Sequence, residues 1–193
     1  MRFALNLTFM LLLLAGTSKA LDLTPRPTLL KGNEGPPIHA LEFLDGKIKY
    51  TFIPPQDWLY DGGGRTLRLT ASDGSRGWMK LLVVPKQPPA PNPDGTTPPP
   101  EDLQAWAAQF IPGGAKTAVF VKETPSPFTV AQHPSDEFTF TYNSYGSKDL
   151  IAVAVVDFSE AERLVVIISS GPKYFEKIQQ LAIRSMFSFQ KER

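Results

Sequence analysis

The sequence predicts an α+β domain, a mostly antiparallel sheet of about seven strands flanked by two helices. Three observations lead there. First, Leu150–Phe158 and Arg163–Ser169 are apolar on both faces, with Leu150, Ala152, Ala154, Val156 and Phe158 on one side and Ile151, Val153 and Val155 on the other. Side chains alternate along a strand, so an apolar run on both faces requires cover on both faces. Ser159–Glu162 joins these strands by a turn too short for a crossover, which makes them antiparallel. Second, Ile48, Tyr50 and Phe52, and later Phe138, Phe140 and Tyr142, alternate with polar residues as one-sided strands do. Third, helical spacing appears twice. Leu103, Trp106, Ala107 and Phe110 form one stripe; Tyr174, Ile178, Leu181, Ala182 and Ser185 form the other.

The elements follow in order. Residues 1–20 read as a signal peptide: Arg2 is the positive start, Phe3–Ala15 the apolar core, and Ser18-Lys19-Ala20 the small-residue cleavage signal. The core is too short to span a bilayer comfortably; an uncleaved N-terminal anchor is the alternative. Residues 21–40 hold four prolines and two glycines and read as a flexible, irregular tether. The folded domain is expected from Leu41 to Phe189, with a tail at 190–193. Pro54-Pro55 stops the first strand, and Gln56-Asp57-Trp58 turns an indole back onto the core. On that placement Trp58→Ala costs about 3–5 kcal/mol. Asp61–Gly64 reads as a flexible loop. Thr66–Thr70 and Trp78–Val84 are strands joined by Ser72-Asp73-Gly74-Ser75.

Residues 85–100 contain eight prolines in sixteen residues, which no central strand or helix interior tolerates. They read as an extended surface loop of polyproline II character. Glu101–Phe110 follows as a helix with acids at its positive end, closed by Pro112-Gly113-Gly114. Lys116–Glu123 and Phe128–Gln132 are strands separated by Pro125-Ser126-Pro127. Pro172 to Ser185 is the last helix, and Phe187-Ser188-Phe189 a short aromatic end.

Two segments then carry a family likeness. Tyr50-Thr51-Phe52-Ile53-Pro54-Pro55-Gln56-Asp57-Trp58 is a strand, a proline stop and a returning tryptophan; Ile183-Arg184-Ser185-Met186-Phe187-Ser188-Phe189 is a final helix ending in aromatics. Together they resemble the PsbP-like superfamily, which includes the PsbP proteins of photosystem II and the bacterial DcrB-like proteins. The resemblance covers about Leu41–Phe189. It implies an α/β/α sandwich and action by binding other macromolecules, with no shared reaction.

Composition narrows the chemistry. The formal net charge is +1 and falls to −1 once Arg2 and Lys19 leave with the signal peptide, so no field draws nucleic acid. The absence of cysteine excludes disulfides and thiolate metal sites. His39 and His133 are the two histidines. His133, Ser135 and Asp136 are near neighbours, whereas a working triad converges from separate segments; they read as a turn before a strand. Asp157, Glu160 and Glu162 lack the spacing of a calcium loop. Asp61-Gly62-Gly63-Gly64-Arg65 lacks the Gly-Lys-Ser/Thr of a phosphate loop. Trp58, Trp78 and Trp106 fall on inward faces and read as core.

The resulting expectation is an exported, periplasmic or secreted, non-enzymatic binding or assembly protein. It needs no cofactor or metal, acts on a protein partner and keeps no membrane segment after signal cleavage. Pro88, Pro89, Pro91 and Pro93 are the candidate interaction residues, since extended proline runs dock into aromatic grooves. Lys86–Thr97 is expected to be dispensable for folding. If the loop is only a spacer, the exposed sheet face around Lys47, Lys49, Thr139 and Thr141 takes its place. The alternative is a hydrolase or lipid or small-molecule carrier with a pocket between sheet and helix. A buried titratable pair beside an apolar cavity would mark that alternative.

Overall fold

The computed structural model describes residues 20–31, 35–87, 100–144 and 146–192. The expected signal peptide, apart from Ala20, lies outside the described residues. The chain forms two antiparallel sheets and two α-helices. The strands are β1 (Asp22–Leu30), β2 (Ile38–Asp45), β3 (Ile48–Phe52), β4 (Leu59–Gly63), β5 (Thr66–Thr70) and β6 (Trp78–Pro85), then β7 (Ala118–Val130), β8 (His133–Ser144), β9 (Ser147–Asp157), β10 (Glu162–Ser170) and β11 (Gln190–Lys191). Helix α1 spans Leu103–Ala108 and helix α2 Phe175–Phe187.

The larger sheet has seven strands in the order β4-β5-β6-β10-β9-β8-β7. Its centre is the apolar pair read from sequence, β10 against β9, with Val165 opposite Val155 and Ile167 opposite Val153. Both faces are covered. On one, Ala152, Ala154, Val156, Leu164, Val166 and Ile168 meet α2 and the smaller sheet. On the other, Ile151, Val153, Val155, Val165 and Ile167 meet Ala107 and Ala108 of α1 and Ile111 just beyond its end.

The α/β/α expectation is corrected by this arrangement. The fold is mostly β, and α2 shares its face of the large sheet with a second sheet, β1-β2-β3-β11. Four rings fill the joint: Phe189 lies 5.6 Å from Phe43, 5.7 Å from Tyr50 and 6.1 Å from Phe52. Phe189 is therefore a core plug, and the expected tail begins with a strand, because Gln190 and Lys191 pair with Thr51 and Tyr50.

The tether expectation for 21–40 is also corrected. Asp22–Leu30 and Ile38–Asp45 are paired strands, and Leu21 and Leu23 are fully buried. The described fold includes Leu21, twenty residues ahead of the expected boundary at Leu41. Pro25 and Pro27 are tolerated because β1 is an edge strand, where a missing N–H leaves no ladder bond unmade.

Smaller corrections follow the same logic. Asp61–Gly63 belongs to β4 and pairs with β5; the actual turn is Gly64-Arg65. Pro125-Ser126-Pro127 does not divide two strands. It lies inside β7, which absorbs it as a register shift with Ser126 at a φ of 49°. Lys116 lies in a short 3-10 turn, Ala115–Thr117, ahead of that strand. Helix α1 is shorter than Glu101–Phe110 and starts at the Asp102 cap, whose side chain accepts from the Ala105 N–H. Helix α2 starts later and buries Phe175 and Met186, while Tyr174 is exposed.

Candidate functional site

The site begins with the end of β3. Pro54 and Pro55 end the strand, and the Trp58 N–H donates to the Pro55 carbonyl at 3.2 Å to close a tight turn. Asp57 takes a φ of 61° there, and its carbonyl accepts from the Ser72 hydroxyl at 2.7 Å. Ile53 is anchored from the far end of the chain: its N–H donates to Ser188 Oγ at 2.7 Å. The turn therefore rests on both α2 and the β5–β6 connection. It presents Trp58, half-buried against the core, and then Leu59 and Tyr60 on the edge strand β4.

The β1–β2 hairpin supplies the opposite wall. Pro27 pairs with Leu41 and Leu29 with His39, which brings Pro36, Pro37 and Ile38 alongside. Between the walls lies a groove of about 720 Å³, lined by Pro27, Pro36, Pro37, Pro54 and Pro55, by Ile38, Ala40, Leu41 and Ile53, and by His39, Gln56, Asp57, Trp58 and Tyr60. Ile38 and Tyr60 are exposed on its rim, at 47% and 39%. Prolines donate no N–H and the aliphatic side chains none, so the walls attract through apolar and aromatic surface. The polar groups around that surface are His39, Gln56, Asp57, the Trp58 indole N–H and the Tyr60 hydroxyl.

The other polar and aromatic groups weighed in the sequence are dispersed or engaged. His133 and Asp136 are not joined to Ser135 in a relay. Ser135 is buried and its hydroxyl donates to the Phe128 carbonyl at 2.7 Å. The expected turn at that point is Ala131-Gln132, both at positive φ, while His133–Asp136 are already in β8. Asp157 accepts from Lys86 and from Arg163, and Glu162 from Arg65. No cluster of three metal-ligating side chains occurs among the described residues. Trp78 lies under Arg68 at 5.3 Å and Trp106 under Arg163 at 4.9 Å, both half-buried over α1's face of the sheet. Of the three tryptophans read as core, Trp58 is the one that lines the groove.

The proline residues Pro88, Pro89, Pro91 and Pro93 lie outside the described residues. The ends of their segment are fixed, however. Lys86 is 2.5 Å from Asp157 Oδ2. Arg163 donates to Asp157 Oδ1 at 2.8 Å and reaches Glu101 in a two-bonded fork at 2.9 and 2.6 Å. The Arg163 guanidinium is almost fully buried, and its bond to Glu101 raises its pKa further. The same bond holds the Glu101 carboxyl below its ordinary range despite partial burial. Burial pushes Asp157 up, but the bonds from Lys86 and Arg163 outweigh it and its pKa is lowered.

The face proposed around Lys47, Lys49, Thr139 and Thr141 does not exist as one surface. Lys47 and Lys49 are exposed on the small sheet; Thr139 is buried, with no partner for its hydroxyl among the described residues. Beside it in β8 stands Glu137, also buried, with Oε1 bonded to Gln179 of α2 at 2.5 Å and no partner for Oε2 among the described residues. Burial raises the Glu137 pKa, opposed by Lys122 and by the Gln179 bond. This acid lies under α2 and is not among the groove's lining residues.

No family model and no curated relative matches the chain. Among solved structures, it is similar to a Pseudomonas aeruginosa protein of unknown function, PA94, a putative regulator. The TM-score is 0.45 and the identity 12%, over 87% of this chain and 99% of that one. It is also similar to LpqN of Mycobacterium tuberculosis, described as involved in cell envelope biogenesis. Here the TM-score is 0.47 and the identity 12%, over 88% of this chain and 92% of that one. Neither likeness assigns a fold family or a role to this chain. No helix of the described residues is long and apolar enough to cross a membrane.

Sequence reasoning found Trp58 but not the groove, which is built from segments as distant as Pro27 and Tyr60. The visible signal was the concentration of prolines at 25–37 and 54–55, read there as breakers.

Proposed function

We propose that the protein is an exported, non-enzymatic binding protein whose groove takes an extended, proline-rich segment of a partner protein. The observation that carries this reading is the groove itself: five prolines and two aromatic side chains face an open channel whose rim exposes Ile38 and Tyr60. A polyproline II segment is already extended, loses little entropy on binding, and packs its rings against aromatic and proline walls. The Trp58 and Tyr60 donors are suited to the free carbonyls of such a segment. The buried acid Glu137 lies apart from the groove, and side chains such as Ile178, Ala182 and Met186 fill the space between α2 and the large sheet, where the alternative hydrolase or carrier was expected to have its pocket.

A second reading keeps the groove and changes the ligand. Its volume of about 720 Å³ falls in the range of roughly 300–1,000 Å³ typical of small-molecule sites. Calorimetry with an oligoproline decamer and, separately, with palmitate distinguishes the two. Binding of the decamer, weakened about tenfold or more by Tyr60→Ala, is the expected result, tenfold being about 1.4 kcal/mol. Decamer binding that ignores Tyr60→Ala, or no decamer binding at all, contradicts the proposal. Uptake of palmitate in its place selects the carrier.

A further inference from the structure

The predicted cleavage site adjoins the first buried residue of the fold. All described elements follow Ala20, and Leu21 is 0% exposed. The Leu21 N–H donates to Glu162 Oε2 at 3.3 Å, across a separation of 141 residues. The other oxygen of that carboxylate, Oε1, is held by Arg65 at 2.9 Å. Asp45, at the end of β2, follows Leu44, the residue paired with Asp22, and burial, with the Glu162 charge adding to it, raises its pKa. Asp45 has no ion-pair partner among the described residues. The groups facing this point are thus Glu162 from β10, Asp45 from β2, Arg65 from the β4–β5 turn and the buried Tyr50 from β3. Glu162 has one cation, Arg65, and no ion pair among the described residues involves Asp45.

We propose that the mature amino terminus supplies the missing cation: hydrolysis of the Ala20–Leu21 peptide bond creates a Leu21 ammonium that Glu162 binds, with Asp45 as the second carboxylate. Water is the co-reactant. It adds across the peptide bond, leaving a carboxylate on Ala20 and the protonated amine on Leu21. A neutral backbone donor is replaced by a charged one, and charge-assisted bonds are roughly twice as strong as neutral ones. Cleavage then does more than release the chain. It completes an ion pair that pins β1 at its first residue, directly beside the side chains of Leu21 and Leu23, so the processed chain holds its first strand more firmly than the precursor. This inference is independent of what the groove binds.

The test compares chains that begin at Leu21, released from a tag by a protease that leaves no extra residue, with chains that begin Gly-Ser ahead of Leu21. Each is acylated at neutral pH with a small activated ester, and the N-terminal peptide is followed by mass spectrometry. A bound ammonium has a raised pKa, and each unit of rise slows acylation about tenfold. The Leu21 amine should react about tenfold slower than the extended one, and Glu162→Gln should remove most of the difference while Glu160→Gln leaves it. The Leu21 chain should also melt higher than the extended chain. Equal acylation rates for the two wild-type chains overturn the proposal, whether or not the Glu162 variant folds. A mature exported chain that begins anywhere other than Leu21 overturns it equally.

Discussion

Two groups of carboxylates in this protein respond to pH in opposite senses. Glu101 and Asp157 have lowered pKa values in the fold, Glu101 through its Arg163 bond and Asp157 through bonds that outweigh its burial. Their contribution is present above the unfolded carboxylate pKa and is lost as pH falls through the lowered folded values. Glu137 is the reverse. Burial raises its pKa, so the folded state holds the proton more tightly than the unfolded state. Stability from Glu137 is full below its unfolded value of about 4.3 and is lost as pH rises through the folded value. Glu137→Gln keeps the acceptor for Gln179 and removes a buried charge, one oxygen of which has no partner among the described residues. It should raise stability at pH 8 by roughly 1–3 kcal/mol, with the gain vanishing near pH 4. Melting curves at the two pH values check this; a loss of stability at pH 8 would show that the charge has a partner which the hydrogen-bond pattern does not contain.

The elements show why some of the fold was legible and some was not. Strands β9 and β10 were readable because Leu150–Val156 and Leu164–Ile168 are unbroken apolar runs that cover both faces, a pattern with few alternatives. Strand β1 was misread because Pro25 and Pro27 are breakers in most settings, and only its edge position makes them harmless. Leu21 and Leu23 alternate as strand residues do, but two residues are too short a signal against two prolines. The groove was illegible for a different reason: its walls come from two sheets, and no local pattern reports that β1–β2 lies across from the Pro54–Tyr60 turn. At the element scale, Gly77 tests how closely α2 docks. A Cβ there would meet Ile178 Cδ1 at 2.6 Å and Cγ1 at 2.8 Å, with no unusual φ to confuse the result. Gly77→Ala should therefore destabilise by about 1–3 kcal/mol, the usual cost of overpacking. An unchanged denaturation midpoint would mean that α2 shifts freely on the sheet.

Across the whole molecule, the core and the surface features are separable. The large sheet is sealed by α1 on one face and by the small sheet with α2 on the other. The surface then carries the groove at one place and the ends of the proline-rich segment at another. Lys86 was expected to be replaceable along with that segment, but it belongs to the fold, since its N–H donates to the Ala161 carbonyl and its amine bonds Asp157. Replacing residues 88–97 by a short Gly-Ser linker, with Lys86 and Glu101 kept, should change loop-closure entropy by only about a kcal/mol. A melting temperature within a few degrees of the parent is the expected reading, and a collapse of the transition would show that the segment packs on the domain.

The two classes of surface also make the central claim directly measurable. Trp58 lines the groove, whereas Trp78 and Trp106 lie over the opposite face of the large sheet. Each has one indole N–H, so a nitrogen–proton correlation spectrum shows three well-separated reporters in one sample. Titration with the oligoproline decamer should move the Trp58 indole signal in a saturable way and leave those of Trp78 and Trp106 in place. A Trp58 signal that stays still while the decamer binds elsewhere, or moves no more than the other two, would contradict the groove as the functional site.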